Sequence, residues 1–332
     1  MKRVLFVLKD RSNYGVSYGL VNSCRFIADA LKKEGVETKV VSVIDNNAID
    51  REVHRFKPTH AIVEALWVVP DKFKVLLPLH PSVNWTVRTH SKTSFIANEG
   101  IAIEWIKGYG EIQKLYPNFT TSANSIDFVQ QTSHILGEHV DYLPNIYSGA
   151  PSKGRGKKPG NVIDIGCFGA VRPLKNHLLQ AVVAMIFADQ EGKKLRFHVN
   201  GRIEQKGDTV MKNLQNLFSG TQHELIVHEW MSHEEFLRVV KQMDIGMQVS
   251  FSETFNIVAA DFAVNDVPVI GSDEIDWLSG LYRASLTDWQ DVLSKLSFAY
   301  HCRPLGLHAF NKFGLNYHNW NAIKTWKNWL QK

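Results

Sequence analysis

The chain has 332 residues, of which 44% are hydrophobic and 21% are charged, and its formal net charge is +5. This length suffices for two domains of ordinary size, each with its own hydrophobic core. No apolar run approaches the length of a membrane span, and the apolar stretch after the first basic residues is too short for a secretory signal. We therefore expect a cytoplasmic protein without a transmembrane segment.

The spacing of the cysteines and the position of the basic residues bear on which sites and partners the protein can have. Cys24, Cys167 and Cys302 are odd in number and widely spaced, which favours free thiols over disulfides or a metal site. Four basic residues fall in one segment rich in Gly, Pro and Ser: Lys153, Arg155, Lys157 and Lys158. Such a segment is typical of a solvated linker, although a polyanionic partner stays open.

The first half of the chain alternates between strand and helix patterns. A strand is predicted at 4–8, then a polar loop with glycines and a helix at 20–33. Further strands are predicted at 38–43, 60–63, 74–79, 94–97 and near 119–121. This alternation indicates an α/β domain with a mostly parallel sheet over residues 1–150. The loop lacks a full Gly-x-Gly-x-x-Gly pattern, which disfavours a dinucleotide-dependent oxidoreductase.

A second alternating series follows the linker. Strands are predicted at 162–168, 195–199, 225–228, 245–249 and 267–270, and helices at 176–189, 209–217, 232–241 and 255–264. We assign residues 151–305 to a second domain and 306–332 to a C-terminal helix, whose aromatic stripe is expected to be a packing face. Two such α/β units suggest a ligand cleft between them.

Residues 250–272, which read SFSETFNIVAADFAVNDVPVIGS, combine two carboxylates with a helix between two predicted strands. Glu253 opens the apolar helical run and Asp261 lies inside it. Such a helix starts at the carboxyl end of its strand, where ligands bind and the helix N-terminus favours an anion. Eight residues advance about 12 Å along a helix. The two carboxylates are therefore expected to contact different parts of one extended ligand.

This stretch resembles the Glu-x7-Glu element of family-4 (group 1) glycosyltransferases, which have the two-domain GT-B architecture. Asp261 stands at the second Glu position, and Thr254 and Asn256 replace glycines near the donor phosphate. The resemblance implies two Rossmann-like domains facing a cleft, with the last helix crossing back to the first domain. It also implies that Glu253 holds sugar hydroxyls and Asp261 the ribose, with Thr254, Phe255 and Asn256 lining the donor site.

The segment 167–177, CFGAVRPLKNH, is similar to the Gly-Arg-x-x-x-Lys-Asn turn of the same family. Lys175 and Asn176 match the motif, whereas the arginine position falls on Ala170 and Arg172 is shifted by two. The implied role of Arg172 and Lys175 is to offset the charge on a departing diphosphate.

The remaining site residues are also implied by the resemblance. Asn200, Gly201 and Arg202 would form a glycine-bearing turn below the donor, and Trp230 would lie beside the base. Gly15 or Gly19 would let the backbone approach the sugar or diphosphate. From the first domain, His90 would support the sugar, with His80 as the second candidate.

The implied activity is a retaining hexosyl- or pentosyltransferase that needs no metal or cofactor and uses a nucleotide diphosphate sugar, most simply a UDP-sugar. The acceptor stays open between a glycan, a lipid-linked glycan and a hydroxylated base in DNA. Two alternatives remain at this point. One is a nucleotide-sugar epimerase of the same architecture, and the other is a non-catalytic module that binds nucleotides or polyanions.

Overall fold

The computed structural model describes residues 2–10, 19–153, 156, 160–229 and 231–332. Two predicted donor contacts, Gly15 and Trp230, lie outside the described residues, as do Arg155, Lys157 and Lys158 of the basic segment. The chain forms two compact units, one of residues 1–148 with 319–332 and the other of residues 149–318.

The first unit is built on a six-stranded parallel sheet in the order β2-β1-β3-β4-β5-β6. Its strands are β1 Arg3–Lys9, β2 Glu37–Val43, β3 His60–Glu64, β4 Asn84–Thr89, β5 Phe119–Ala123 and β6 Val140–Tyr142. Its helices are α1 Gly19–Lys33, α2 Ala48–Phe56, α3 Pro70–Leu79, α4 Thr93–Ile96, α5 Ala102–Leu115 and α6 Ile126–Leu136.

The C-terminal helix contributes to the core of this unit. Helix α12 spans Ala309–Trp329, and the side chains of Trp326 and Trp329 are buried against one face of the sheet. The Trp326 ring lies 5.9 Å from that of Phe6, and its Nε1 donates a hydrogen bond to the Pro144 carbonyl at 2.8 Å. Trp320 belonged to the predicted packing stripe but is 62% exposed, so only the later part of that stripe packs.

The second unit also contains a six-stranded parallel sheet, in the order β12-β11-β10-β7-β8-β9. Its strands are β7 Val162–Gly166, β8 Lys194–Asn200, β9 Glu224–His228, β10 Ile245–Gln248, β11 Val269–Ser272 and β12 Arg283–Ala284. Its helices are α7 His177–Gln190, α8 Gly207–Phe218, α9 His233–Lys241, α10 Ile257–Val264 and α11 Trp289–His301. This strand order is that of the doubly wound dinucleotide-binding fold.

The predicted elements agree with the structure better in the second unit than in the first. Residues 74–79 were predicted as a strand but end helix α3, because Pro70 occupies its first turn and Phe73, Leu76 and Leu77 are buried at helical spacing. Residues 94–97 were also predicted as a strand, whereas Thr93–Ile96 is a short helix. Strands β4 and β6 were not predicted.

Candidate functional site

The turn after β7 and the loop after β10 bring Lys175 and Glu253 together in the second unit. Lys175 Nζ lies 2.5 Å from Glu253 Oε1, and the two side chains are only 12% and 8% exposed. The chain leaves β7 toward β8 on one side of the sheet and later returns to place β10 on the other side. Ligands of open α/β sheets bind at such a switch point, outside the carboxyl ends of the strands.

Hydrogen bonds hold the two segments against each other. The Phe251 amide donates to the Leu174 carbonyl at 2.9 Å. The buried Gln180 side chain accepts from the Val249 amide at 2.8 Å and donates to the Lys175 carbonyl at 2.8 Å. Both segments therefore have fixed backbones next to the ion pair.

Helix α10 begins later than predicted, at Ile257, so Glu253 lies in the loop before the helix. Asn256 caps this helix in the left-handed region, at φ 60°. Its side-chain oxygen accepts from the Ala259 amide at 2.8 Å, and its Nδ2 donates to Gln248 at 2.9 Å. Asparagine tolerates this conformation better than most residues, which explains how it can stand at a glycine position.

Thr254 and Phe255 lie in the same loop. The Phe255 ring is buried and packs 5.9 Å from the ring of Trp277, whose Nε1 donates to the Phe255 carbonyl at 2.7 Å. The Phe255 side chain, predicted to line the donor site, therefore belongs to the core. Its role is to hold the loop that carries Glu253.

Turns after β7, β8 and β9 are joined at the same edge of the sheet. Gly169 has a φ of 113°, and its amide donates to the Asn200 side-chain oxygen at 2.7 Å. The Gly201 amide donates to the His228 carbonyl at 2.8 Å. The predicted residues Asn200 and Gly201 thus lie at the carboxyl edge of the sheet, where their hydrogen bonds link the neighbouring turns.

The two predicted arginines share one acidic partner, Glu204, which the sequence did not single out. Arg202 Nε donates to Glu204 Oε1 at 3.0 Å, and Arg172 Nη1 lies 3.8 Å from Glu204 Oε2. Arg172 also approaches the side-chain oxygen of Gln205, at 3.5 Å. This acid partly neutralises both guanidinium groups.

Asp261 is buried within α10, and its carboxylate Oδ1 lies 2.8 Å from Nε2 of His233. Burial lowers the pKa of His233, but the hydrogen bond to Asp261 and its negative charge raise it more, so the net pKa is above the ordinary value. His233 was not predicted as a site residue. It directly follows Ser232, which forms a capping box with Glu235 at the start of α9.

Two further histidines, His228 and His198, form a chain of hydrogen bonds from the carboxyl edge of the sheet to the buried Asp164. His228 Nε2 lies 2.8 Å from His198 Nδ1, and His198 Nε2 lies 2.8 Å from the Asp164 carboxylate. Arg196 donates two hydrogen bonds to that carboxylate, at 2.6 and 2.7 Å. Burial and the neighbouring His198 lower the pKa of His228.

In the first unit, His90 follows β4 at the carboxyl edge and contacts two buried charged residues. Its Nε2 is hydrogen-bonded to Glu64 Oε2, and Arg88 Nη1 donates to the same carboxylate oxygen at 3.0 Å. Arg88 Nη2 also donates to the Asn145 side chain at 2.5 Å. Burial and the Arg88 charge lower the pKa of His90, against the opposing effect of Glu64. The hydrogen bond to Glu64 thus holds the ring in a fixed orientation.

His80 and Gly19 are the other described candidates of this unit. His80 caps the C-terminus of α3 ahead of β4, at the amino edge of the sheet, and its Nε2 lies 2.7 Å from Asp50. Gly19 is the first residue of α1 and is exposed. Of the two histidines weighed for the sugar, His90 is therefore the one at the carboxyl edge of the sheet.

Three further features concern metal binding, membrane spans and the cysteines. Within the described residues, no group of three His, Cys, Asp or Glu side chains is arranged to hold a metal ion. None of the helices in the described ranges is both long and apolar enough to cross a membrane. All three cysteines are free, and burial raises the pKa of Cys167 to about 12, against the effect of Lys175.

Comparison with known proteins gives a fold but no sequence family. No protein-family model matches the chain, and neither does any curated protein. A UDP-forming alpha,alpha-trehalose-phosphate synthase from Burkholderia xenovorans superposes with a TM-score of 0.69 at 10% identity, over 100% of this chain and 99% of that one. Anabaena HepE, solved in complex with UDP, gives 0.67 at 10% identity, over 99% and 100%.

The chain has the fold of these enzymes. A glycosyltransferase from Rickettsia africae is similar as well, with a TM-score of 0.56 at 12% identity, over 98% of this chain and 99% of that one. At such identities the likeness concerns the fold alone. It confirms the predicted α/β class with two Rossmann-like domains, which is the GT-B fold.

Proposed function

We propose that the protein is a retaining glycosyltransferase that moves a sugar from a nucleotide diphosphate sugar to a hydroxyl acceptor. The observation that carries this proposal is the Lys175–Glu253 pair at the switch point of the second unit, 2.5 Å apart. The sequence resemblance assigns Lys175 to the departing diphosphate and Glu253 to the sugar hydroxyls. The fold shared with solved glycosyltransferases supports the same function.

The chemistry of the pair suits a departing diphosphate. The Lys175 ammonium group is held by a carboxylate before the donor binds, so it does not need to be ordered during the reaction. A preorganised cation would offset the charge that develops on the leaving oxygen. Glu253 would then exchange part of its contact with Lys175 for sugar hydroxyls, and Arg172 would assist at the phosphates.

The first unit is proposed to supply His90 to the sugar. Glu64 and Arg88 hold the imidazole in place, as is required of a residue that positions a substrate. Gly15, Gly19 and Trp230 stay predicted donor contacts.

UDP is the proposed nucleotide, because HepE was solved with UDP on the same fold. We propose that transfer needs no metal, because the positive charges of Lys175 and Arg172 take the place of a metal ion. The cytoplasm is the proposed compartment, consistent with three free cysteines. A glycan or lipid-linked glycan is the proposed acceptor, and a hydroxylated base in DNA is its rival.

A thermal-shift panel of nucleotide sugars, followed by assays of transfer and donor hydrolysis, tests the proposal. At a donor concentration of 100 times Kd, binding stabilises the fold by about 2.7 kcal/mol. We expect UDP-sugars to raise the unfolding temperature and to release UDP when an acceptor is supplied. An epimer formed from the donor alone, or binding without any turnover, would contradict the transferase assignment.

Lys175→Ala is expected to lower transfer about 10²- to 10³-fold, because it removes the charge that stabilises the leaving diphosphate. Lys194→Ala is the matched control, since Lys194 begins β8 at the opposite edge of the sheet and pairs with Glu224. Steady-state transfer rates with the same donor compare the two variants. Full activity in Lys175→Ala would remove the proposed role.

A further inference from the structure

One face of helix α12 packs against the rest of the protein. Leu315, Ala322 and Trp326 are almost fully buried on this face. The buried Asn311 donates from its side-chain nitrogen to the Val269 carbonyl at 3.1 Å. These contacts hold the helix in place, so its opposite face is presented in a fixed orientation.

The opposite face carries four aromatic side chains, which we call the aromatic stripe: Phe310, Phe313, Tyr317 and Trp320. Phe310, Phe313 and Tyr317 are 52%, 71% and 61% exposed, close to the value for Trp320. Side chains advance by about 100° per residue around a helix, so the stripe and Lys324 fall within an arc of about 80°. Single exposed rings are ordinary, but several on one face form an apolar surface that usually binds a partner.

The charged residues of this part of the chain are all basic. No Asp or Glu follows Asp291 in the sequence, whereas α12 contains Lys312, Lys324 and Lys327. Lys324 lies within the arc of the stripe, and its Nζ is 5.9 Å from the centre of the Trp320 ring. The helix thus presents positive charge next to its exposed rings.

The other two lysines of α12 pair with acidic residues of other elements. Lys312 Nζ lies 3.0 Å from Asp266 Oδ1, and Lys327 Nζ lies 2.7 Å from Glu34 Oε2. Both pairs are in contact with solvent and contribute little to stability. They can therefore be exchanged for contacts with an anionic partner.

The residue types of this face favour a lipid surface over another protein. Tyr and Trp rings suit the boundary between headgroups and acyl chains, because each has an apolar body and a polar group. Helices that lie on membranes combine such rings with lysines, which anionic headgroups attract. Protein interfaces are depleted in lysine, and paired helices prefer branched aliphatic side chains at this spacing.

We propose that α12 binds the surface of a membrane that contains anionic phospholipids, with the aromatic stripe among the headgroups and Lys324 beside a lipid phosphate. This surface goes beyond the proposed function, because none of its residues belongs to the proposed transfer site. Of the proposed acceptors, a lipid-linked glycan is the one that such binding would bring to the protein. Vesicle binding needs neither donor nor acceptor, so it is tested independently of transfer.

Co-sedimentation with lipid vesicles tests the inference. The protein is mixed with vesicles of phosphatidylcholine alone, or of phosphatidylcholine and phosphatidylglycerol in equal amounts. We expect binding to the mixed vesicles and at least about fivefold weaker binding to phosphatidylcholine, because only the mixed surface attracts the lysines. Raising the salt concentration should reduce this difference.

Phe313→Ser is expected to weaken binding to the mixed vesicles about tenfold, because one exposed ring no longer leaves water. Lys324→Gln should weaken it about fivefold at low salt, since one positive charge near the lipid surface is lost. Tyr317→Ser serves if Phe313→Ser does not fold, and the same loss of about tenfold is expected.

Trp289→Ser is the matched control. Trp289 is a partly exposed ring at the start of α11 and lies outside the stripe. Its variant should bind the mixed vesicles within about twofold of the wild type, since a ring that stays in water adds nothing to binding.

Three results would overturn the inference. No binding to the mixed vesicles, or equal binding to both kinds, would exclude an anionic lipid surface. Undiminished binding in both Phe313→Ser and Tyr317→Ser would place the contact outside the stripe. Light scattering without lipid could instead show a dimer that Phe313→Ser dissociates; if no vesicles are bound, the stripe covers a second copy of the chain.

Discussion

At the scale of single residues, the Lys175–Glu253 pair determines what the site can do. Both side chains are largely buried, so each charge depends on the other for its stabilisation. Breaking a buried pair from one side costs much more than removing both charges, because one charge is left without a partner. Stability and transfer should therefore respond differently to single and double substitutions.

Lys175→Met is expected to lower the free energy of unfolding by about 3 kcal/mol, because Glu253 stays charged in a buried place. Adding Glu253→Gln should restore most of that stability, whereas transfer should stay low because the cation is still missing. Urea unfolding of the single and double variants measures the first effect, and a transfer assay measures the second. A double variant no more stable than Lys175→Met would show that the two residues are not coupled.

The contact between His233 and Asp261 could not be predicted from the sequence. The Glu-x7-Glu resemblance singled out Asp261, yet the accessible group at this position is an imidazole from a different helix, 28 residues earlier in the chain. Neither residue type nor spacing indicates that these two side chains meet. Glu64 escaped notice for the same reason, since its partner Arg88 is recognised only after strands β3 and β4 are paired.

At the scale of elements, the conformation at the start of α10 anchors the loop that carries Glu253. Asn256 adopts φ 60° and accepts a hydrogen bond from the Ala259 amide, so one residue both turns the chain and caps the helix. Glu253 lies three residues before it, in the loop that this cap anchors. The backbone at Asn256 is therefore expected to tolerate glycine better than alanine.

Asn256→Ala should cost about 2 kcal/mol, because it loses the cap and the hydrogen bond to the buried Gln248, and because alanine adopts the left-handed region less readily than asparagine. Asn256→Gly should cost about 1 kcal/mol less than Asn256→Ala, since both variants lose the same side-chain hydrogen bonds but glycine adopts this φ without strain. Thermal unfolding of both variants gives the comparison. Equal stabilities for the two would mean that the backbone at this residue is not strained.

The elements that the sequence predicted correctly are those with strong local patterns. The apolar strands β7, β8 and β10 and the capped helix α9 were found close to their observed bounds. Strand β4 was missed because it contains Arg88, a charge that is fully buried only because Glu64 and Asn145 lie beside it in the fold. Helix α3 was mistaken for a strand because Val75, Leu76 and Leu77 form a continuous apolar run, which does not separate the two structures.

At the scale of the whole molecule, both units bury histidines that resist protonation. Burial, with the nearby charges of Lys175 and Arg172, lowers the pKa of His177 to about 3. Burial and Lys2 lower the pKa of His60 in the first unit to about 4. Between these values and the ordinary pKa of about 6.5, the unfolded chain binds more protons than the folded one. Stability should therefore fall as the pH falls below about 6.5.

His177→Gln removes one of these titrations. Between about pH 7 and about pH 5.5, the wild type should lose about 1 kcal/mol more unfolding free energy than the variant. Urea unfolding at the two pH values measures the difference, with both proteins in the same buffers. An identical pH dependence in the two proteins would mean that His177 binds its proton in the folded state as readily as in the unfolded chain.

The proposed function requires that the edge of the second sheet between β7 and β10 binds the diphosphate of an activated sugar. A crystal structure of the protein with UDP is the sharpest test of this requirement. A phosphate oxygen is expected within hydrogen-bonding distance of Lys175 Nζ, with the nucleotide lying at the carboxyl ends of these strands. A nucleotide bound away from Lys175 and Glu253 would contradict it.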